Sequence, residues 1–286
     1  MAVRAVSFNR SGRPTLEGAG VRLDRAFGNG DEKLFDPFLM LDDFRNDDPE
    51  MYRRGFPWHP HRGIETITYV LEGEVDHGDS MGNQGTIGAG DVQWMTAGRG
   101  ILHEEMPKLG KRRLDGFQIW VNLPAKLKMT KPRYQDVPAA RIPEVARPDG
   151  ARVRVVAGRV DGTDGAVREI FADPTYLDVV LPGGGTFEQP VPAGHTALLY
   201  VYGGEVRLGR AGRDEGPAVA ATRLAILGDG DFVRVHAGPA GARFLLLSAQ
   251  PLREPAVRWG PFVMNTREEV AQALQELRDG TFIKKA

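Results

Sequence analysis

Short apolar runs alternate with turns along most of this 286-residue chain. Nine runs of five to seven residues are rich in Val, Ile, Leu, Tyr and Phe, and Gly, Pro or Asp residues bound them. Runs of this length and composition are typical of β-strands, and their repeated spacing favours a sandwich or barrel. The runs lie at 66–71, 91–95, 117–123, 152–158, 176–181, 197–202, 223–227, 232–237 and 243–249. The pattern therefore predicts an all-β fold.

One helical pattern occurs, near the C-terminus. Thr266 and Glu269 fit a capping box, and Gly280 fits the residue that follows a helix end. Three apolar residues between them share one face at helical spacing: Val270, Leu274 and Leu277. They predict a helix that packs on a β-domain.

Two segments of the first half match two segments of the second half in the same order. TITYVLEGEV at 66–75 matches ALLYVYGGEV at 197–206 with an offset of 131 residues, and IGAGDV at 87–92 matches LGDGDF at 227–232 with an offset of 140. We interpret this as duplicated architecture with a nine-residue insertion near 209–222. The alternative is that hairpin turns resemble one another.

The Pro-rich, charged stretch 131–150 has few residues to bury and predicts a linker. We therefore expect a first β-domain at 1–130, a second at 151–264, and a C-terminal helix and tail at 265–286.

Composition excludes several classes of function. The net charge of -1 and the pI of about 6.6 give no basic excess, which argues against direct binding to nucleic acid or to a membrane. The absence of cysteine excludes disulfides, thiolate metal sites and dithiol redox chemistry. Neither a signal segment nor a transmembrane run is visible, so we expect a cytoplasmic protein.

Two pairs of metal-binding residue types stand in the first half. FPWHPHRGIE at 56–65 holds His59 and His61, and GRGILHEEM at 98–106 holds His103 and Glu105. Residues two apart in an extended segment face the same side, and Pro60 favours an extended conformation at the residue before it. On neighbouring strands, three imidazoles and one carboxylate would suit iron, nickel, cobalt, manganese, copper or zinc. The alternative for a lone H-x-H pair is two imidazoles without a metal.

The second half keeps the strand and turn pattern but lacks these residues. The two offsets place other residues at the four candidate positions: Pro190, Pro192, Arg243 and Leu245. Residues that folding required would recur in both copies, so their restriction to one copy favours a functional role.

The segment 56–107 resembles the signature region of the pirin family, which are bicupin proteins of the cupin superfamily. DPFLMLDDF at 36–44, FQIWVNLP at 117–124 and GPFVMNTREE at 260–269 also resemble pirin segments. The resemblance implies two tandem cupin (jelly-roll-like) β-barrels with a C-terminal α-helix. It also implies that the first domain binds one divalent metal ion, with Fe(II) favoured and Mn, Co, Ni, Cu or Zn as the alternatives. The ligands it implies are His59, His61, His103 and Glu105, whereas the second domain lacks them.

The same resemblance implies a quercetin 2,3-dioxygenase that cleaves a flavonol with O2. Glu105 would then also be the base that takes the proton of the flavonol 3-hydroxyl. Phe56, Trp58 and the strand at 117–120 are candidates for the lining of the substrate pocket, although strand parity does not fix which of them point inward. Asp43 is a candidate for the pocket mouth, but a position away from the pocket is favoured for it. We expect a monomer whose partners are the flavonol and O2. The alternatives are another small-molecule cupin enzyme, or a non-enzymatic metal- or redox-responsive regulatory protein that acts through a protein partner.

Two further polar residues have open roles. The general cupin pattern H-x-H-x-x-x-E would make Glu65 a ligand, but the resemblance to pirins favours Glu105. Glu65 would then orient a ligand imidazole, or form a salt bridge with Arg62 or Arg99. His77 is either a polar position on the returning strand of a hairpin or a contact to substrate.

Overall fold

The computed structural model describes residues 1–110, 113–172, 174–209 and 216–284, and most of them lie in strands. The first twelve strands are β1 (Val6–Ser11), β2 (Arg13–Glu17), β3 (Val21–Phe27), β4 (Phe38–Asp43), β5 (Phe56–His61), β6 (Ile64–Glu72), β7 (Val75–Asp79), β8 (Gln84–Ile87), β9 (Val92–Thr96), β10 (Ile101–Pro107), β11 (Asp115–Asn122) and β12 (Arg133–Val137). The others are β13 (Glu144–Ala146), β14 (Arg152–Ala157), β15 (Arg159–Val160), β16 (Thr163–Asp164), β17 (Thr175–Leu181), β18 (Thr186–Pro190), β19 (Thr196–Leu208), β20 (Ala218–Ala220), β21 (Arg223–Leu227), β22 (Phe232–Ala249), β23 (Val257–Trp259) and β24 (Phe262–Met264). The helices are α1 (Glu32–Phe35) and α2 (Arg267–Arg278). Each of the nine apolar runs falls on a strand, which confirms the all-β prediction.

The chain forms two compact units, and each is built from two separate stretches. The first unit comprises Arg13–Ala139 and Leu252–Ala286, and the second comprises Met1–Gly12 and Ala140–Pro251. These bounds differ from the division expected from sequence, because β1 pairs with β21 and so belongs to the second unit. The stretch 131–150 contains β12, which pairs with β9, and β13, which pairs with β14. It therefore contributes an edge strand to each unit.

The first unit contains two antiparallel sheets. One has seven strands in the order β12-β9-β6-β11-β4-β3-β2, and the other has four in the order β5-β10-β7-β8. Neither sheet closes on itself, so the arrangement is a jelly roll and not a closed barrel. The strands that carry the four candidate ligands, β5 and β10, are neighbours in the smaller sheet.

The second unit repeats this order within one sheet. Its main path is β1-β21-β19-β22-β17-β14-β13, with β18 on β22 and β20 on β19. The long strands β19 and β22 each take the place of two strands of the first unit. Thus β18 pairs with the first half of β22 as β5 pairs with β10. The predicted duplication is confirmed at the level of topology.

Strand pairing corrects the residue equivalences inferred from the two offsets. The Gly-Asp turn at 228–231 precedes β22, the counterpart of β10, whereas the similar turn at 88–91 precedes β9. The match at offset 140 therefore joined turns that are not equivalent. Phe187 of β18 lies opposite Val235 of β22, as His59 lies opposite His103. The buried residues that follow two positions later on each strand, where His61 and Glu105 stand in the first unit, are Gln189 and Ala237. The nine-residue insertion is not needed, and residues 210–215, on which it falls, lie outside the described residues.

The interiors of the two units differ in polarity. In the second unit, apolar side chains that include Phe187 and Val235 form one continuous core. The first unit has separate apolar clusters, one around Val70 and Leu114 and another around Ile64 and Met95. Of the twenty buried polar side chains among the described residues, sixteen belong to the first unit. Buried polar groups without a structural need indicate a functional interior, so the first unit is where a site is expected.

The C-terminal helix begins at the predicted capping box. Glu269 N donates to Thr266 Oγ1 at 3.1 Å, and Thr266 N donates to Glu269 Oε2 at 3.0 Å. Gly280 follows the helix with φ of +69°, as expected for a residue that ends a helix. Leu277 was wrongly assigned to the packed face, because it is 36% exposed and Ala273 packs there against Phe262 and Phe282.

No helix in the described ranges is both long enough and apolar enough to cross a membrane.

Candidate metal centre

Strands β5 and β10 bring the two residue pairs together. His103 lies directly opposite His59 in their antiparallel pairing, and the register shifts between His103 and Glu105. After His61 the chain turns at Gly63, whose φ is +79° and where an added Cβ would lie 2.1 Å from the carbonyl oxygen of Val263. Only glycine fits this close approach, so the sequence fixes the sharp turn from β5 into β6.

Three imidazoles converge on one point. One ring nitrogen from each of His59, His61 and His103 lies within 4.8 Å of the other two. Nitrogen ligands about 2.1 Å from a metal ion lie at most about 4 Å apart, so small side-chain adjustments would complete the geometry. The Nδ1 atom of His59 lies 2.9 Å from the carbonyl oxygen of Pro57. In this contact the protonated Nδ1 donates to the carbonyl oxygen, which leaves the unprotonated Nε2 free to act as a metal ligand.

Two of these rings, those of His61 and His103, are buried, and three of their four nitrogens have no hydrogen-bond partner among the described residues. His61 and His103 are each 1% exposed. Burial lowers the pKa of both imidazoles well below the usual value, and the neighbouring His59 lowers it further. Neutral imidazole is the form that binds metal ions. Among the buried nitrogens of the described residues, His61 Nδ1 and both nitrogens of His103 have no hydrogen-bond partner. Such orphaned atoms fit a site built for a metal ion.

Glu105 lies beside the three imidazoles. Its Oε2 atom is 4.0 Å from His103 Nε2, and the side chain is almost fully buried. The hydroxyl of Thr68 donates to Oε1 at 2.7 Å, and the amide nitrogen of Gln118 donates to Oε2 at 3.1 Å. Thr68 on β6 and Gln118 on β11 are paired residues, so their side chains share a face. Sequence reasoning missed both, although their inward positions on alternating strands were a usable signal.

Glu65 has a different environment. It is fully buried, and its Oε1 atom accepts a hydrogen bond of 2.7 Å from the Thr96 hydroxyl. Burial raises the pKa of Glu65, and the bond from Thr96 opposes that effect. In the described part of the chain it contacts neither a ligand imidazole nor the two arginines proposed as partners. Arg62 binds Glu276, and Arg99 donates to the backbone near the C-terminus.

His77 lies on β7 directly opposite Glu105 of β10. Its ring stacks on Tyr134 with centroids 6.0 Å apart and an interplanar angle of 28°. This places His77 on the returning strand of a hairpin, in the interior of the first unit and next to an aromatic ring.

A cavity of about 440 Å³ opens onto the candidate centre. Pockets for small organic ligands span about 300–1,000 Å³, so an aromatic molecule fits this volume. Apolar and aromatic side chains form much of the wall: Leu23, Met40, Phe44, Phe56, Pro57 and Trp120. Polar and charged side chains complete it: Glu17, Arg25, Asp42, His59, His61, Glu105, Gln118 and Arg258.

The wall predicted from sequence is partly correct. Phe56 and Trp120 line the cavity, and Trp120 lies 5.0 Å from His61 between ring centroids. Trp58 was wrongly assigned, because it alternates to the outer face of β5 and is 52% exposed. Asp43 also does not line the cavity, since its carboxylate binds Arg45 at 2.7 Å. Asp42, the preceding residue of β4, lines the cavity instead.

This combination of fold and site defines a class of protein. Its members are tandem jelly-roll proteins of the cupin type, in which one unit encloses neutral imidazoles at the base of a ligand-sized cavity. The three-histidine group can hold one metal ion.

Comparison with known proteins identifies the family. The Pirin domain matches residues 20–121, and the Pirin C-terminal cupin domain matches residues 176–283. The chain therefore belongs to the pirin family. A pirin-like protein from Caulobacter vibrioides is 48% identical over 99% of this chain and 100% of its own length. A Pseudomonas aeruginosa protein provisionally named quercetin 2,3-dioxygenase is 46% identical over 94% of this chain and 95% of its own. Human pirin is 41% identical, and the match covers 96% of this chain and 93% of human pirin.

Solved structures confirm the two-cupin fold. The crystal structure of quercetin 2,3-dioxygenase from Acinetobacter baumannii superposes with a TM-score of 0.90 at 35% identity, and the match covers 98% of this chain and 99% of that one. The crystal structure of a bacterial pirin from Escherichia coli in complex with nickel(II) superposes with a TM-score of 0.65 at 23% identity. The match covers 85% of this chain and 99% of that one. At that identity the likeness shows the fold alone.

Proposed function

We propose that this protein is a metal-dependent dioxygenase of the pirin type, which cleaves a flavonol such as quercetin with O2. In this proposal, His59, His61, His103 and Glu105 hold one Fe(II) ion. The observation that carries the proposal is the convergence of three imidazoles, two of them buried with orphaned nitrogens, beside an aromatic-lined cavity that His59 and His61 line. The names of the relatives from Pseudomonas aeruginosa and Acinetobacter baumannii support the substrate class.

The residues of the chain would divide the work as follows. A divalent metal ion bound there would supply Lewis acidity and redox chemistry. Glu105 would accept the proton of the flavonol 3-hydroxyl at Oε2, the oxygen nearer to His103. The bonds from Thr68 and Gln118 hold that carboxylate in place. The faces of Phe56 and Trp120 would flank the flat rings and exclude water from the reacting atoms.

Metal content tests the proposed ligands. We expect His59→Ala and Glu105→Gln to bind much less iron than the unaltered protein, with the circular dichroism of the β-fold retained. His236→Ala is the matched control, because this histidine lies in the second unit and contacts Thr186 instead of the centre. Unchanged metal stoichiometry in both site variants would remove the ligand assignment.

Turnover tests the reaction. Protein loaded with iron under anaerobic conditions should consume O2 and bleach the flavonol absorption band when quercetin is added. Absence of turnover with iron, manganese, cobalt, nickel and copper would refute the enzymatic function for this substrate. Metal binding that persists without turnover would favour the alternative, a metal-responsive regulatory protein that acts through a protein partner.

A further inference from the structure

Arg258 of β23 forms part of the cavity wall without a carboxylate partner. Its Nη1 atom donates to the carbonyl oxygen of Leu39 at 3.2 Å, and its Nε atom donates to that of Gly260 at 3.3 Å. Its guanidinium carbon lies 4.8 Å from the centre of the Trp120 ring. A guanidinium has five N–H donors. In the described part of the chain, the other three have no acceptor, and the Nη2 atom, which carries two of them, is not sealed from solvent.

Two of the three acidic residues of the same wall, Asp42 and Glu17, are already bound by another arginine, and the third, Glu105, binds Thr68 and Gln118. Arg25 donates to both carboxylate oxygens of Asp42, at 2.8 Å and 2.7 Å, and to Glu17 at 2.7 Å. Among the described residues, Arg25 is thus the arginine of the wall that forms hydrogen bonds with these two carboxylates, and Arg258 forms none with them. Arg258 is left as a half-buried cation that stacks on an aromatic ring and points free donors into the cavity.

The unused donors of this half-buried cation bind water until an anion reaches them. Burial lowers the pKa of Arg258 and the positive charge of Arg25 lowers it further, whereas the carboxylates of Glu32, Asp42 and Glu17 act in the opposite direction. Arginine nevertheless stays protonated in proteins, so the charge remains and must be solvated or paired. A planar guanidinium binds the two oxygens of a carboxylate through two parallel hydrogen bonds, and its N–H groups can also donate to the single oxygen of a phenolate. The free donors therefore match an oxygen anion of a ligand.

The upper limit on the distance from this cation to the His61 ring lies within the length of one small molecule. The Trp120 ring centre is 5.0 Å from the ring centre of His61 and 4.8 Å from the guanidinium carbon of Arg258. The guanidinium therefore lies no more than about 10 Å from the His61 ring, and both groups line the same cavity. A flat ligand of two or three rings that lies along Trp120 can contact the imidazole end with one oxygen and Arg258 with another.

We propose that Arg258 determines substrate class by binding a second, anionic oxygen at the end of the aromatic ligand that is remote from the three imidazoles. The site then selects acidic aromatic compounds, with a phenolate or carboxylate at that end, over neutral ones of the same shape. This inference rests on the proposed function in one respect, because it takes the other end of the ligand to lie at the three imidazoles.

Calorimetric titration with matched ligands tests this selectivity. The ligands are 3-hydroxyflavone and two derivatives that carry a carboxylate on one or the other outer ring. The full-length protein is used metal-free and loaded with redox-inert zinc, so that binding is measured without turnover. Arg258→Gln removes the charge, Arg258→Lys keeps the charge without the planar fork, and Arg278→Gln is the control on the exposed last turn of α2.

We expect the unaltered protein to bind at least one carboxylated ligand about tenfold or more tightly than the neutral parent. Arg258→Gln should lose about tenfold to a hundredfold for that ligand and little for the parent, and Arg258→Lys should lose less. Arg278→Gln should match the unaltered protein. Equal binding of all three ligands by the unaltered protein would overturn the inference, as would an equal loss for charged and neutral ligands in Arg258→Gln.

The results of this test distinguish failure of the Arg258 inference from failure of the proposed function. If Arg258→Gln does not fold, the ligand comparison on the unaltered protein and on Arg258→Lys still decides. If iron-loaded protein turns over quercetin but shows no preference for the charged ligands, only the inference about Arg258 fails. If the preference is present, with or without metal, but no flavonol is cleaved, only the dioxygenase proposal fails.

Discussion

An ion pair beside the candidate centre allows a quantitative test of how the C-terminal segment stabilises the first unit. Arg62, the residue after His61, is 1% exposed, and its Nη2 atom lies 2.6 Å from Glu276 of α2. Its guanidinium also stacks on Phe282 at 4.4 Å. Lys284 approaches the same carboxylate at 3.0 Å. Replacing Glu276 with Gln would leave the buried guanidinium without its anion.

The size of the effect follows from the pKa of Glu276. Burial raises this pKa, but the hydrogen bonds from Arg62 and Lys284 outweigh burial and lower it from 4.5 to about 2. At 1.36 kcal/mol per pKa unit, the ionised carboxylate stabilises the fold by roughly 3 kcal/mol. Loss of one partner of a buried pair costs about 3–5 kcal/mol, which agrees. Because the folded pKa is depressed, this stability is fully present above pH 4.5 and is lost as the pH falls towards 2.

Urea denaturation between pH 7 and pH 2 measures the effect. At pH 7, Glu276→Gln should be about 2–3 kcal/mol less stable than the unaltered protein, and the difference should vanish near pH 2. Metal-free protein is used so that metal release on acidification does not contribute. Glu268→Gln, on the exposed first turn of the same helix, should change stability by no more than about 0.5 kcal/mol. A difference that is absent at pH 7, or that stays constant with pH, would refute this reasoning.

Three further predictions concern the centre itself. Gly63→Ala should lower both the urea midpoint and the metal affinity, because the added Cβ would overlap a backbone oxygen of β24. The control is Gly82→Ala, which has a similar positive φ but open space around it. In urea denaturation this control should lose only about 1 kcal/mol to backbone strain. Thr68→Val removes a donor to Glu105, so metal affinity by competition with a chelator should fall about tenfold to a hundredfold, and an unchanged affinity would show that this bond does not orient the carboxylate. Chelator treatment should lower the free energy of unfolding of the unaltered protein, by about 2.7 kcal/mol for metal held at a hundred times its Kd, and should leave that of His103→Ala unchanged in urea denaturation.

The sequence predicted best what depends on local spacing. Residues two apart on a strand share a face, so the convergence of His59, His61 and His103 followed once β5 and β10 were neighbours. The capping box of α2 also depends only on residues three apart, and it was correct. The error at Leu277 arose where the helix ends and the chain folds back, because Phe282 then covers the position next to Ala273.

The sequence failed where distant segments meet. Arg258 reaches the cavity from a hairpin that follows the whole second unit, and no pattern around it predicts such a return. The register of the repeat failed for a related reason. Two Gly-Asp turns with almost the same sequence precede strands that are not equivalent, and only hydrogen-bond pairing between strands distinguishes them. That pairing identified Phe187 and Val235 at inward positions where imidazoles stand in the first unit.

The discontinuous make-up of the first unit has a consequence for biosynthesis. Residues 13–139 leave the ribosome well before 252–284, yet the unit needs both stretches. Until the later stretch emerges, Arg62 lacks Glu276, and the cavity lacks Arg258 and the wall formed by Gly260 and Pro261. A nascent chain thus presents the three histidines on an incomplete scaffold. The candidate metal centre and its cavity are therefore complete only after α2 has been synthesised, and a chain that ends before residue 252 would lack part of the cavity wall and the partner of Arg62.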